Sequence, residues 1–159
     1  MKEGQNPILS RGAGLLLAAL IFGSSGCRRP APSLPTVQLT VGEIRVAAEV
    51  ADDPGTRERG LMGRRVLDKD SGMLFVFPRP VRNGFWMKDT LIPLSIAFIN
   101  RHGLVIEIRE MIPDDGSASY VPAASYLYAL EMPGGWFEEH CLQPGVMVRG
   151  LSGLAEAAR

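Results

Sequence analysis

Twelve prolines and eighteen glycines are spread along the chain, and the apolar residues between them come in short runs. Proline fixes φ and removes a backbone donor, while glycine opens turn conformations that other residues avoid. Runs this short suit strands joined by turns better than long helices. Val37-Gln-Leu-Thr-Val41 alternates apolar and polar residues, and Ile44-Arg-Val-Ala-Ala-Glu-Val50 resumes the alternation after Gly42, which predicts a hairpin. Gly72-Met-Leu-Phe-Val-Phe77 predicts a compact apolar strand ended by Pro78-Arg79-Pro80.

Gly84 to Lys88 and Leu94 to Asn100 predict two further strands separated at Pro93, and Arg101-His102-Gly103 a hairpin turn. Leu104 to Met111 alternates, with Glu107 and Arg109 on one face and Ile106 and Ile108 on the other. Tyr126 to Met132 and Val146 to Arg149 complete the set, about eight strands in all. Asp53 as cap and Pro54 at the first helical position predict one short helix near residues 54–63, and Trp136 to Cys141 a helical turn. The expected fold is mainly β: a small single-domain antiparallel β-sandwich or barrel-like fold over residues 37–150, followed by a flexible tail at 151–159.

The N-terminus reads as an address. Lys2 and Arg11 precede an apolar run from Gly12 to Gly23 that is short for a bilayer span, and small residues follow it. Residues 1–26 are therefore expected to be a signal peptide. Ser24-Ser25-Gly26-Cys27 resembles a lipobox, in which the cysteine is diacylated, although Ser24 stands where an aliphatic residue is usual. Simple cleavage after Gly26 is the alternative, since Ser24 and Gly26 also satisfy a small-x-small rule. Residues 27–36, with prolines at 30, 32 and 35, predict an extended tether. The expectation is an exported protein at the periplasmic or outer face of a membrane, held by a lipid anchor on Cys27.

The 17 basic and 17 acidic residues of the whole chain cancel. Removing residues 1–26 takes away Lys2, Arg11 and Glu3 and leaves 15 basic against 16 acidic groups. No segment forms a basic stripe, so no nucleic-acid partner is expected. With Cys27 lipidated, Cys141 is a lone thiol, read as a small buried core residue; with Cys27 free, a Cys27–Cys141 disulfide becomes an option.

The strongest candidate site is the Lys88-Asp89-Thr90 step, a polar group of residues beside an apolar run. Lys88 could hold an anionic ligand group with Trp86 as a stacking wall. Against this, Asp89 and Thr90 could simply satisfy turn amides while Lys88 is solvated. Glu131 lies within an apolar strand, and a buried carboxylate needs a partner, for which Lys88 or an arginine is the candidate. The candidate ligand-binding set is thus Trp86, Lys88, Asp89, Thr90 and Glu131.

Other chemistries are less well supported. Six methionines outside the first residues could bind Cu(I), but they lack close Met-x-Met spacing, and methionine more often fills cores. His140 and Cys141 are adjacent in a helical turn and point apart, which does not suit a nucleophile and its base. Asp114-Asp115-Gly116 falls short of a calcium-loop pattern. No cofactor or metal is expected.

Three blocks, Arg59-Gly-Leu-Met-Gly-Arg64, Gly72-Met-Leu-Phe-Val-Phe77 and Phe85-Trp-Met-Lys-Asp-Thr-Leu-Ile-Pro-Leu94, occur together in order. Ile96-Ala-Phe-Ile99, Met111-Ile-Pro113 and Tyr128-Ala-Leu-Glu131 leading to Gly135-Trp-Phe137 follow. In these blocks the chain resembles the family catalogued as domain of unknown function 192, from about Val41 to Arg149. The resemblance implies a small jelly-roll-like β fold and no established activity. Asp89 stands where that family often has Asn, Ser95 where it often has Asp, and Pro133-Gly134 where it often has Asn-Ala. Ser95 therefore puts any role of an aspartate there in doubt.

Three functions fit the sequence. The first is a non-catalytic ligand-binding or accessory domain of the cell envelope. The second is a hydrolase or carbohydrate-active enzyme using Lys88, Asp89 and Glu131. The third is an envelope protein–protein interaction module, which needs an exposed apolar patch.

Overall fold

The computed structural model describes residues 34–159; the expected signal peptide, Cys27 and the tether as far as residue 33 lie outside the described residues. The first strands, β1 (Thr36–Val41) and β2 (Ile44–Ala51), form the expected hairpin, with Val41 opposite Ile44. A short helix, α1 (Pro54–Arg59), follows. Its first turn is closed by a capping box: the Asp53 carboxylate accepts the amides of Gly55 and Thr56 at 2.8 and 3.1 Å, and the Asp53 amide donates to Thr56 Oγ1. The helix ends at Gly60, before the expected boundary near residue 63, because a φ of 47° and ψ of −134° leave the helical region.

The crossover through α1 returns the chain beside β2, so β3 (Ser71–Val81) runs parallel to it, with Ala47 opposite Ser71 and Ala51 opposite Phe75. Among the described strands this is the one parallel pair in an order otherwise antiparallel, as expected. β3 also continues through Pro78 and Pro80, where the sequence predicts an end. Prolines have no amide to donate, and the pairing of β3 with its neighbour is interrupted between Val76 and Val81 at that point.

β4 (Leu94–Ile99) and β5 (Val105–Met111) form a hairpin, and β6 (Tyr126–Pro133) lies between β4 and β3. α2 (Trp136–Glu139), β7 (Val148–Arg149) and α3 (Leu154–Ala157) complete the chain. The strand order is β5-β4-β6-β3-β2-β1-β7. The expected small β fold is thus a single seven-stranded sheet, curled so that its ends approach at a Leu104–Met147 bridge. The Val105 amide donates to Val146 O at 2.9 Å, and the Val148 amide to Gly103 O at 2.8 Å.

The sheet is buried on both faces at its centre. One core draws residues from all seven strands, including Leu39, Val46, Leu74, Ile99, Leu130 and Val148, and fills the inside of the curl together with Trp136 and Phe137. The second core lies on the opposite face of β3, β4 and β6, with Phe75, Phe98 and Ala129, and is roofed by Leu61 and Met87 from the connections. This explains why β4 and β6 read as continuous apolar runs rather than alternating ones.

Two expectations are corrected. Gly84 to Lys88 is not a strand; it makes one bridge, between Phe85 and Tyr120. Both edges of β4 are already taken by β5 and β6, so the segment has no free edge there to join. Residues 151–159, expected as a flexible tail, are packed. Leu151 is buried, Leu154 and Ala155 lie against the inner core, and the Arg159 amide donates to Asp52 O at 2.9 Å.

Candidate functional site

The second core is incomplete. Between its roof and the outer face of β3 and β6 the structure leaves a cleft of about 430 Å³. One wall is α1 and the turn Gly60-Leu61-Met62. The other is the loop after β3, from Asn83 through Trp86 to Lys88 and Thr90. Phe75, Phe77, Phe85 and Tyr126 line the interior.

These aromatic rings lock one another. Phe85 stands edge-on to Phe75 at 4.9 Å and to Phe98 at 5.8 Å, and Tyr126 edge-on to Phe98 at 5.0 Å and to Phe77 at 5.4 Å. The Tyr126 hydroxyl donates to Asn83 O at 2.9 Å, which pins the loop to β6, and burial raises its pKa. The aromatic pair Phe85-Trp86 is therefore divided: Phe85 anchors the loop inward, while Trp86 stands 47% exposed at the lip.

Glu131 lies deep in this cleft. It sits on β6 opposite Met73 of β3 and Ile96 of β4, on the outer face, and is 4% exposed. Neither neighbour can donate a hydrogen bond, and among the described residues no group bonds its carboxylate. No buried side-chain oxygen or nitrogen among these residues lacks a partner, so both Glu131 oxygens must keep some open surface toward the cleft. Burial pushes its carboxyl up to about 8, since the charged form loses hydration that nothing replaces.

The expected partners for Glu131 are engaged elsewhere. Arg57 lies over the Phe77 ring at 5.1 Å and donates to Val76 O at 2.8 Å and to Arg159 O at 2.6 Å. Lys88 places its Nζ 5.9 Å from the Trp86 ring centre, at the lip. The remaining charged groups that line the cleft are Glu58, Arg59 and Arg79.

Of the five residues singled out from sequence, the structure brings Trp86, Lys88, Thr90 and Glu131 to this cleft. Asp89 is not among its lining residues. It takes the left-handed conformation, with φ 55°, and its carbonyl accepts the Gly63 amide at 2.8 Å, so it makes the turn rather than the wall. Thr90 is buried and closes the same turn, its amide donating to Met87 O at 3.0 Å. The α1 wall and the phenylalanines were not singled out as site residues. Their only sequence signal is that Arg59–Arg64 and Gly72–Phe77 form ordered blocks with the Phe85–Leu94 block.

Ser95 is on the opposite face from Glu131. Its hydroxyl donates to Glu110 Oε1 at 2.6 Å and accepts the Gly135 amide at 2.8 Å, which joins β4 and β5 to the start of α2. Cys141 is exposed with φ 53°, which corrects its placement in the core: the chain reverses there as α2 ends. His140 directs Nδ1 to Trp136 O at 2.8 Å and stacks on that indole. Asp114 and Asp115 accept amides of their own loop, from Gly116, Ala118 and Ser117. Met73, Met87, Met111 and Met132 are divided between the two cores.

Comparison with known proteins gives the fold a family. Residues 37–150 match the model of domain of unknown function 192, described as an uncharacterized ACR. The chain belongs to the DUF192 family. A solved structure from Sinorhizobium meliloti, provisionally described as a transcription regulator, is similar to this DUF192 chain at 29% identity and a TM-score of 0.73. The match covers 76% of this chain and 98% of that one. A protein of unknown function from Novosphingobium aromaticivorans is similar at 29% identity and a TM-score of 0.68, over 76% and 89% of the two chains. No curated protein matches the chain.

Proposed function

We propose that this DUF192 protein is an exported, lipid-anchored, non-catalytic binding protein of the cell envelope that holds a small organic molecule in the cleft between α1 and the Trp86 loop. The observation that carries the reading is the cleft itself: about 430 Å³ with aromatic walls, an exposed Trp86 at the mouth and the Lys88 ammonium beside it. A space of this size with mainly apolar walls and a few polar groups suits a small molecule rather than a macromolecular surface. Trp86 offers a face on which a planar or apolar ligand body stacks, and Lys88 a point charge for an anionic group.

Export and anchoring rest on the apolar run from Gly12 to Gly23 and on the lipobox-like Ser24-Ser25-Gly26-Cys27. Intact-mass measurement of the protein from membranes tests that part, and absence of an acyl mass on Cys27 would sink it.

The binding part is tested by a broad thermal-shift screen on the purified full chain, followed by titration of each hit. Lys88→Ala is expected to weaken a hit at least about tenfold, the size of one lost charge-assisted hydrogen bond, with an unchanged melting temperature. A screen without hits, or hits indifferent to both Lys88→Ala and Trp86→Ala, refutes the reading.

A further inference from the structure

Glu131 is a buried acid with no hydrogen-bond partner among the described residues, in a cleft lined by apolar and aromatic side chains and, besides Glu58, by the cations Arg57, Arg59, Arg79 and Lys88. From this juxtaposition we infer that the ligand of the cleft carries a cationic nitrogen head, an amine, amidine or guanidine, which enters first and pairs with the Glu131 carboxylate. The inference rests on the binding reading above and names the chemical class it requires. Because Lys88, Arg59 and Arg79 line the cleft against one further acid, Glu58, the other end of the same ligand is anionic. The ligand is then a small zwitterion with an apolar or aromatic middle.

The physical case starts from what Glu131 lacks. A buried carboxyl with no hydrogen bond among the described residues is a cost to the fold, because neither the Met73 nor the Ile96 side chain across the strands has a donor. Arg57, a cation in the cleft wall, is spent on the carbonyls of Val76 and Arg159 and on the Phe77 ring. Glutamine or methionine would fill the same volume without a charge to solvate. A forked cation such as an amidinium supplies two donors to two oxygens, and the pairing is strong where water is excluded. A neutral amide supplies one ordinary hydrogen bond, and an anion is repelled. Burial lifts the Glu131 carboxyl to about 8, so below that pH it is mostly protonated while the site is empty. It releases that proton to solvent as the cation docks.

Three phenyl compounds of nearly equal shape isolate this head group: benzamidine, benzamide and benzoate. Each is titrated into the nitrogen-15-labelled full chain in detergent, wild type and Glu131→Gln, following the amide resonances of Gly60, Leu61, Thr90 and Glu131. Benzamidine is expected to bind at least about tenfold more tightly than the other two. Glu131→Gln is expected to erase that preference while leaving the spectrum of the rest of the domain in place. Equal or tighter binding of benzamide or benzoate overturns the inference, as does a preference that survives Glu131→Gln. So does the absence of any benzamidine shift at about 10 mM, weaker than the poorest useful affinities. A hit from the thermal-shift screen that depends on Lys88 and ignores Glu131→Gln removes the cationic head and leaves the binding reading standing. A screen with no hits removes both.

Discussion

The amide of Gly63 donates to the carbonyl of Asp89 at 2.8 Å, and this single bond ties the end of the α1 wall to the turn of the facing loop. One wall of the cleft is the short helix α1 with the turn after it, and the other is an irregular loop. The Tyr126 hydroxyl on Asn83 O fixes the loop wall to β6.

Asp89 holds its carbonyl in place through a left-handed φ of 55°. Asparagine tolerates that conformation as well as aspartate does. Asp89→Asn is expected to change stability by less than about 0.5 kcal/mol, and Asp89→Val to lower it by about 1–2 kcal/mol. Urea denaturation of the two variants checks both values.

Tyr126 contributes a hydroxyl whose only partner among the described residues is Asn83 O, at 2.9 Å. Tyr126→Phe keeps the ring and its edge-on contacts with Phe77 and Phe98. A loss of about 1 kcal/mol is expected, together with faster hydrogen exchange of the Phe85 and Tyr120 amides. Unchanged exchange in that bridge would show that the loop is held by the rings alone.

Glu131 makes stability depend on pH in the direction opposite to a salt-bridged acid. Its carboxyl stands at about 8 in the folded protein against an ordinary value of 4.5. Between those values the unfolded chain has released the proton and the native chain has kept it, so raising the pH favours unfolding. The expected loss is up to about 1.4 kcal/mol per pH unit from about pH 4.5 to about 8, with no further contribution from this group above that range. Urea unfolding of wild type and Glu131→Gln at three pH values isolates the term, and equal slopes for the two proteins would refute it.

Cys141 is exposed, so its thiol is expected to react with a maleimide in the native protein as completely as in urea. Protection in the native state would return it to the buried core position expected from the sequence.

Local chemistry made several features legible in the sequence. Alternation at Val37–Val41 and Ile44–Val50 predicts the first hairpin, and Asp53-Pro54 predicts where α1 begins. The run Leu94–Ile99 predicts a buried strand, and Glu131 stands out as an acid in an apolar segment. The missed elements have a common cause. Gly84–Lys88 has the composition of a strand but no free edge at β4, and Ser71–Val81 extends past prolines because its pairing lapses where their amides are missing.

The stretch from Gly84 to Asn100 shows the division most plainly. By itself the sequence determined that this stretch holds an aromatic pair, a polar step and a core strand, because residue type and spacing suffice for that. Only the tertiary structure decided that Phe85 turns in and Trp86 out, that Asp89 bends the chain, and that Glu131, far along the chain, opens into the same cleft as Lys88. Which residues face one another across a cleft depends on strand order. The placing of β6 between β3 and β4 is fixed by long-range pairing that no local pattern carries.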